Sequence, residues 1–272
     1  MNELIPSMEA ASYHASAGVS KHGLDLIRHA PAKYWHQHCN PQEEQTPAMR
    51  FGTLAHLAIL EPEKFSDETF VMPACDRRTK EGKEIYAEAM RQAAGRMVIT
   101  PDEQDQLAAM RESLMADKAC KTALGHQEYV EASLYWIDPA EDVQCRCRPD
   151  LIRKDGIIVD YKTTDNATPG AFLRTILNFR YHVQAAFYAD GYQQVTGQEC
   201  PTFLFVAQEK KPPYLSAVYM VDEAMLQAGR RAYQEDLATY KNCRETGNWF
   251  GISSKPITLT LPSWAKTDQT WE

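Results

Sequence analysis

The sequence predicts one α+β domain, a central mixed sheet of about five strands with helices on both faces and a helical N-terminal part. Three observations carry this. Apolar residues recur at helical spacing through about residue 125. From there on, short alternating or wholly apolar runs bounded by turn residues are interleaved with two long helical stretches. No repeat or low-complexity linker divides the 272 residues. A single domain over 1–272 is expected, with a helical region over about 1–125 and a sheet-bearing core over about 126–272.

Ser20 can cap SKHGLDLIRHA, and Pro31 suits the first turn of a second short helix. RFGTLAHLAILEP (50–62) reads as a compact apolar helix with His56 near its middle, and RRTKEGKEIYAEAMRQAAG (77–95) as an amphipathic one stopping at Gly95. Thr100 followed by Glu103 is a capping box for a helix to about 117. The period then changes. Val130–Ile137 reads as a strand, Cys145–Arg153 and Ile157–Lys162 as a hairpin, and 168–197 as helix. PTFLFVAQE (201–209) and LSAVYMV (215–221) are two further strands, 222 to about 246 a long helix, and KPITLTLPSWAK a proline-punctuated extended tail.

No run approaches the roughly 20 apolar residues of a membrane span. The opening MNELIPSMEAASYH lacks the basic segment and apolar core of a secretory signal. Seven scattered cysteines, odd in number and without a CxxC pair, fit a reduced cytoplasmic protein and argue against structural zinc or an iron–sulfur cluster. The net charge of −8 argues against nonspecific polyanion binding over the whole surface. It leaves room for a local basic groove, for which Arg77 and Arg78, with Lys80 and Lys83, are the densest run.

The stretch CRCRPDLIRKDGIIVDYKTT (145–164) sets carboxylates into otherwise apolar strands. With the turn at Lys154–Asp155–Gly156, Ile152 faces Ile158, Leu151 faces Val159 and Asp150 faces Asp160, with Cβ atoms roughly 5 Å apart. Like charges so placed repel, and a divalent cation between them reverses the sign; two hard oxygen ligands suit Mg²⁺, or Mn²⁺. Alternation puts Lys162 on the face of Asp160. Two carboxylates on a metal with an ammonium alongside are the apparatus of phosphodiester hydrolysis. A two-residue loop would make the pair a near-diagonal, and an ordinary Asp160–Lys162 ion pair is the structural alternative.

RPD (148–150) followed by DYK (160–162) looks like the PD-(D/E)xK nuclease signature. With GTLAHLAILEP, CRCRPD, DYKTT, RYHVQAAFYADGY and LPSWAK in this order, the chain from about Tyr13 to Lys266 resembles the RecE-type nuclease domain, the exodeoxyribonuclease VIII family. The resemblance implies a bare nuclease module that digests linear double-stranded DNA from the 5′ end with Mg²⁺. It implies a toroidal homotetramer and a RecT-type single-strand annealing partner. It also implies His56, of the G-x-x-x-H motif, as a metal ligand, with Gly52 letting the helix approach the sheet. Glu131 is the candidate further carboxylate, at the start of strand EASLYW, and the Tyr161 carbonyl a ligand between Asp160 and Lys162. Gln184 and Tyr188, one turn apart, match a Q-x-x-x-Y motif that meets DNA or orders the site. His182 and Arg180 could touch phosphate, as could Thr163 and Thr164, which could equally end the strand. Arg77 and Arg78 could line the duplex or a 5′-phosphate pocket, for which Arg28 is a rival. The residues leave open a structure-specific or restriction-type endonuclease and a non-catalytic DNA-binding module.

Overall fold

The computed structural model describes residues 2–40, 46–253 and 255–261. The chain opens with β1 (Glu3–Ile5) and the short helix α1 (Ala10–Ala15). In α2 (Lys21–His29) the Gly23 amide donates to Ser20 Oγ, the expected cap, and Pro31 begins α3 (Pro31–Cys39). The predicted apolar helix is α4 (Pro47–Leu60), which buries Leu54, Ala55, Ala58 and Ile59. Between α5 (Pro62–Glu68) and α6 (Lys80–Ala93) lies β2 (Thr69–Val71), which pairs in parallel with β3 (Met97–Ile99). These strands and β1 were not expected in the helical part, because three residues are too few to display a period of two. α7 (Pro101–Ala116) starts on the predicted capping box, with both reciprocal bonds formed between Thr100 and Glu103, and α8 (Lys118–Ala123) follows.

Two strands read as continuous are each broken, and at the same place. Val130–Ile137 becomes β4 (Gln127–Val130) and β5 (Ser133–Asp138), and 145–153 becomes β6 (Val143–Cys147) and β7 (Leu151–Arg153). The register carries straight across the break, with Val130 facing Leu151 and Leu134 facing Cys147. One long hairpin therefore bends sharply and serves two sheets. Its outer half forms a three-stranded sheet in the order β1-β5-β6, and its inner half joins a five-stranded one. Glu131 makes the bend by adopting a left-handed φ of 54°, opposite Asp150 in the register, and the preceding Pro149 has no N–H to give a ladder.

β8 (Ile158–Thr164) returns along β7 with the predicted register, Leu151 facing Val159 and Ile152 facing Ile158, and Gly156 takes a φ of 79° in the turn. The stretch 168–197 is two helices, α9 (Pro169–Asn178) and α10 (Tyr181–Thr196), broken at Phe179–Arg180. β9 (Phe203–Glu209) then pairs in parallel with β8, β10 (Ser216–Met220) pairs antiparallel with β9, and α11 (Glu223–Thr246) closes the fold. The resulting mixed sheet runs β10-β9-β8-β7-β4. Leu261 is exposed, and the remainder of the LPSWAK motif lies outside the described residues.

Each face of this sheet carries its own core. Ile152, Ile158, Phe203 and Phe205 pack with α9, α10 and α11, whereas Leu151, Val159, Leu204 and Val206 pack with α4, α7 and α8. Strand alternation therefore commits every side chain of β8 to one layer or the other. The α10–α11 crossing is close: a Cβ on Gly229 would lie 2.1 Å from the His182 carbonyl oxygen. Gly52 plays no such part, since a Cβ there would meet nothing within 4 Å. All seven cysteines are free, and no helix among the described residues is long and apolar enough to cross a membrane.

Candidate functional site

Along β8, Asp160 and Lys162 share the α10 face, while Val159 and Tyr161 turn to the α4 layer. Asp160 is completely buried, and the Lys162 ammonium lies 2.5 Å from its Oδ1. From the facing helix, Gln184 Nε2 donates to Asp160 Oδ2 at 2.5 Å. Asp150 precedes β7 at the bend, so it faces Asp160 at the open end of the ladder and can be reached from the other layer. Its Oδ2 accepts from the Tyr161 amide at 2.7 Å and from His56 Nε2 on α4 at 2.9 Å. The Gly52 carbonyl accepts from His56 Nδ1 at 2.8 Å. Both ring nitrogens then donate, which only an imidazolium can do.

Glu131, at the bend rather than at the start of a strand, is joined to the site through its backbone. Its amide donates to the Asp150 carbonyl at 3.1 Å, and its carboxylate lies 2.9 Å from Arg148 Nε. The bend thus gathers Glu131, Arg148 and Asp150 at one point, a consequence of a left-handed residue that no strand pattern signals.

The protonation equilibria follow from this crowding. Burial opposes a charge on His56, but the adjacent Asp150 carboxylate outweighs it and raises its pKa to about 9. Burial would raise Asp150, yet the His56 charge and hydrogen bond, with Lys162 behind them, hold it below the usual carboxylate range. Asp160 is pushed up to about 6 by burial and then by the charge of Asp150, against the pull of Lys162. Glu131 rises to about 7 for the same two reasons. Lys162 is held protonated by Asp160 and Asp150 in spite of its burial.

This donor set fits a hard divalent cation. Two carboxylates oppose each other, a third stands beside them, and His56 has its Nε2 aimed by the Gly52 carbonyl. Asp160 Oδ1 is buried and has no hydrogen bond, only the ion contact with Lys162. Among the described residues no three His, Cys, Asp or Glu side chains converge into a ready-made cage. The carboxylates are instead engaged by His56, Lys162 and Gln184, the contacts that ligation would replace.

Tyr188 follows Gln184 by one turn on α10, half-buried against the core; burial first, and then neighbouring groups that include Asp160 and Asp150, push its hydroxyl pKa well up. The half-buried His182 is held below its ordinary pKa by burial, and its carbonyl is the group that Gly229 clears. Thr163 stands opposite Gln208 in the β8–β9 register, and Thr164 ends the strand, its hydroxyl donating to the Asn166 carbonyl and accepting from the Asn166 amide. Arg28 makes an exposed ion pair with Glu235 at 3.5 Å. Arg77 stacks over Tyr86 at 4.2 Å in a separate groove lined also by Arg50, and the neighbouring Arg78 is exposed. Arg50 is six residues, roughly 9 Å, along α4 from His56. The basic run is thus not gathered at the carboxylates, because it belongs to the β2–β3 layer.

Two residues at the site, Tyr181 and Lys21, were not singled out from the sequence. Lys162 Nζ lies 4.8 Å from the centre of the Tyr181 ring, and a second lysine, Lys21, lies 5.6 Å from the same ring. Lys21 is paired with Asp25 at 2.7 Å, and burial lowers its pKa. It comes from α2, remote in sequence, where nothing marks it as different from any N-terminal helix lysine.

The comparisons with known proteins bear on this geometry. A family model described as "PDDEXK-like domain of unknown function (DUF3799)" matches residues 24–255. The crystal structure of a "Putative exonuclease" from Eubacterium rectale is similar, with a TM-score of 0.61 and 14% identity, over 93% of this chain and 96% of that one. A crystal structure of SSO0001 aligns at a TM-score of 0.29 and 14% identity, over 71% of this chain and 88% of that one. No curated protein sequence matches. Sheet, paired carboxylates and family match agree, and the chain belongs to the PDDEXK-like family of domains, with the fold of the PD-(D/E)xK nucleases.

Proposed function

We propose that the protein is a divalent-metal-dependent exonuclease that degrades linear double-stranded DNA from the 5′ end, leaving a 3′ single strand. The observation that carries this reading is the buried Asp150–Asp160 pair with Lys162 against it. The RecE-type order of motifs supports it, as does the exonuclease name borne by the similar Eubacterium rectale structure. A bound Mg²⁺ or Mn²⁺ supplies Lewis acidity, activating water and offsetting charge on the phosphate. Asp150 and Asp160 would hold it, with His56 Nε2 and the Tyr161 carbonyl as further donors. Lys162 Nζ, kept charged between Asp160 and the Tyr181 ring, donates to the attacking water or to a phosphate oxygen. Gln184 fixes the Asp160 carboxylate from behind. A toroidal homotetramer around the DNA and a RecT-type annealing partner complete the proposal, and a ring reconciles the net charge of −8 with a basic inner wall.

The test uses a linear duplex labelled at both ends and a covalently closed duplex of the same sequence, with Mg²⁺. Early loss of the 5′ label and an intact circle are expected. Cutting of the circle would favour the endonuclease instead. No reaction on either substrate, with Mg²⁺ or Mn²⁺, would refute the nuclease reading of this isolated chain.

A further inference from the structure

The junction between α9 and α10 places exposed apolar surface beside the carboxylate site. Leu173 and Leu177, one turn apart on α9, are 45% and 54% exposed, and Phe179 is 60% exposed. The Phe179 ring is stacked on Tyr181, with centroids 5.7 Å apart and planes inclined by 21°. Tyr181 in turn has Lys162 Nζ 4.8 Å from its ring centre. A solvent-facing aromatic is thus one ring removed from the lysine that touches Asp160.

The junction is held by charge. Arg180 adopts a left-handed φ of 54°, a conformation side chains other than glycine rarely take and one that recurs at functional sites. Its guanidinium reaches Asp25 at 2.8 Å and also pairs with the buried Asp236. Lys21 donates to the Phe179 carbonyl at 2.7 Å and shares Asp25. Lys21 and Asp25 from α2 and Asp236 from α11, together with Arg180 of the junction itself, therefore fix a backbone turn whose outcome is an exposed phenyl ring. Burying apolar surface does not explain that investment.

We infer that Phe179, backed by Tyr181, is a stacking platform for a nucleobase of the strand whose phosphate lies at the carboxylates. The surroundings match that ligand: a flat apolar face, with the ammonium groups of Lys21 and Lys162 flanking Tyr181 to meet the anionic backbone. Stacking accepts every base, as a nuclease indifferent to sequence requires. The inference rests on the nuclease reading of the neighbouring site. Phe179 is a positioning residue in it, acting on where the strand lies rather than on the reacting atoms.

The test uses the full chain and a short linear duplex carrying 2-aminopurine, whose emission falls on stacking, at successive terminal positions. Binding and emission are read in EDTA and again with Ca²⁺, and turnover separately with Mg²⁺. Wild-type protein is expected to quench one terminal position. Phe179→Ala should abolish that quenching, weaken binding about tenfold and raise KM with little change in kcat, and Phe179→Trp should restore all three. An unchanged thermal transition shows that the exposed ring is not structural. Unaltered quenching and binding in Phe179→Ala would overturn the platform. So would a fall in oligomer mass by light scattering with quenching retained, which would make the patch a contact between copies of the chain. Hydrolysis without Phe179-dependent quenching refutes the platform alone, whereas quenching by a protein that hydrolyses no DNA refutes the nuclease reading and leaves the platform.

Discussion

His56 and Asp150 meet at 2.9 Å, and their charges depend on each other. In metal-free protein the folded-state pKa of His56, about 9, lies above its ordinary value of 6.5. The stabilisation from this ion pair is therefore complete below about 6.5 and lost as the pH rises through about 9. In EDTA the thermal midpoint is expected to fall by several degrees across that interval, and His56→Gln should flatten the decline. A histidine that must release a proton before it can ligate also makes metal affinity rise with pH. Calorimetry in buffers of different ionisation enthalpy should detect a proton leaving as Mn²⁺ binds, and no release would remove His56 from the ligand set. At Asp160 the structure changes what a truncation should do. Relief of repulsion between two opposed carboxylates would make Asp160→Ala benign, but Lys162 and Gln184 both depend on Asp160. Asp160→Ala is therefore expected to cost about 3 kcal/mol, whereas Asp160→Asn keeps an acceptor for Gln184 and the shape of the site.

The bent hairpin is the element that builds the site. Its register was legible in the sequence: Lys154–Gly156 as the turn places Leu151 opposite Val159, and that is the pairing found. The bend was not legible, because nothing in EASLYW distinguishes a strand residue from one at φ 54°, and Glu131 becomes part of the site only through that kink. Likewise 168–197 is helical throughout by pattern, and the break at Phe179–Arg180 is imposed by Asp25 and Asp236 from α2 and α11, remote in sequence. Capping was readable because it is local. Thr100→Ala should lower stability by about 1 kcal/mol by chemical denaturation, through the loss of the bond from the Glu103 amide. Gly229→Ala is the sharper test of how α10 is seated. Its new methyl would meet the His182 carbonyl at 2.1 Å, so α10 must shift and carry Gln184 with it. A loss of about 2 kcal/mol or more is expected, together with reduced turnover at saturating DNA.

At the scale of the whole molecule, fold class was the most legible feature, since a strand–helix–strand unit flanked by further strands leaves few arrangements. Where the N-terminal helices dock was the least legible. α4 supplies His56 from one face of the sheet, and α2 supplies Lys21 on the side of α10, so residues far apart in the chain complete a site whose carboxylates come from the hairpin. Neither contact has a local pattern to announce it. The central claim is that the carboxylate pair performs the chemistry, and one comparison tests it most directly. Initial rates of nucleotide release from a linear duplex would be measured at saturating Mg²⁺ for the wild type and for Asp160→Asn, alongside their thermal transitions. A folded variant slowed by about a thousandfold or more is the expected result. A folded Asp160→Asn protein within about tenfold of the wild-type rate would show that hydrolysis does not depend on this pair, and would contradict the account.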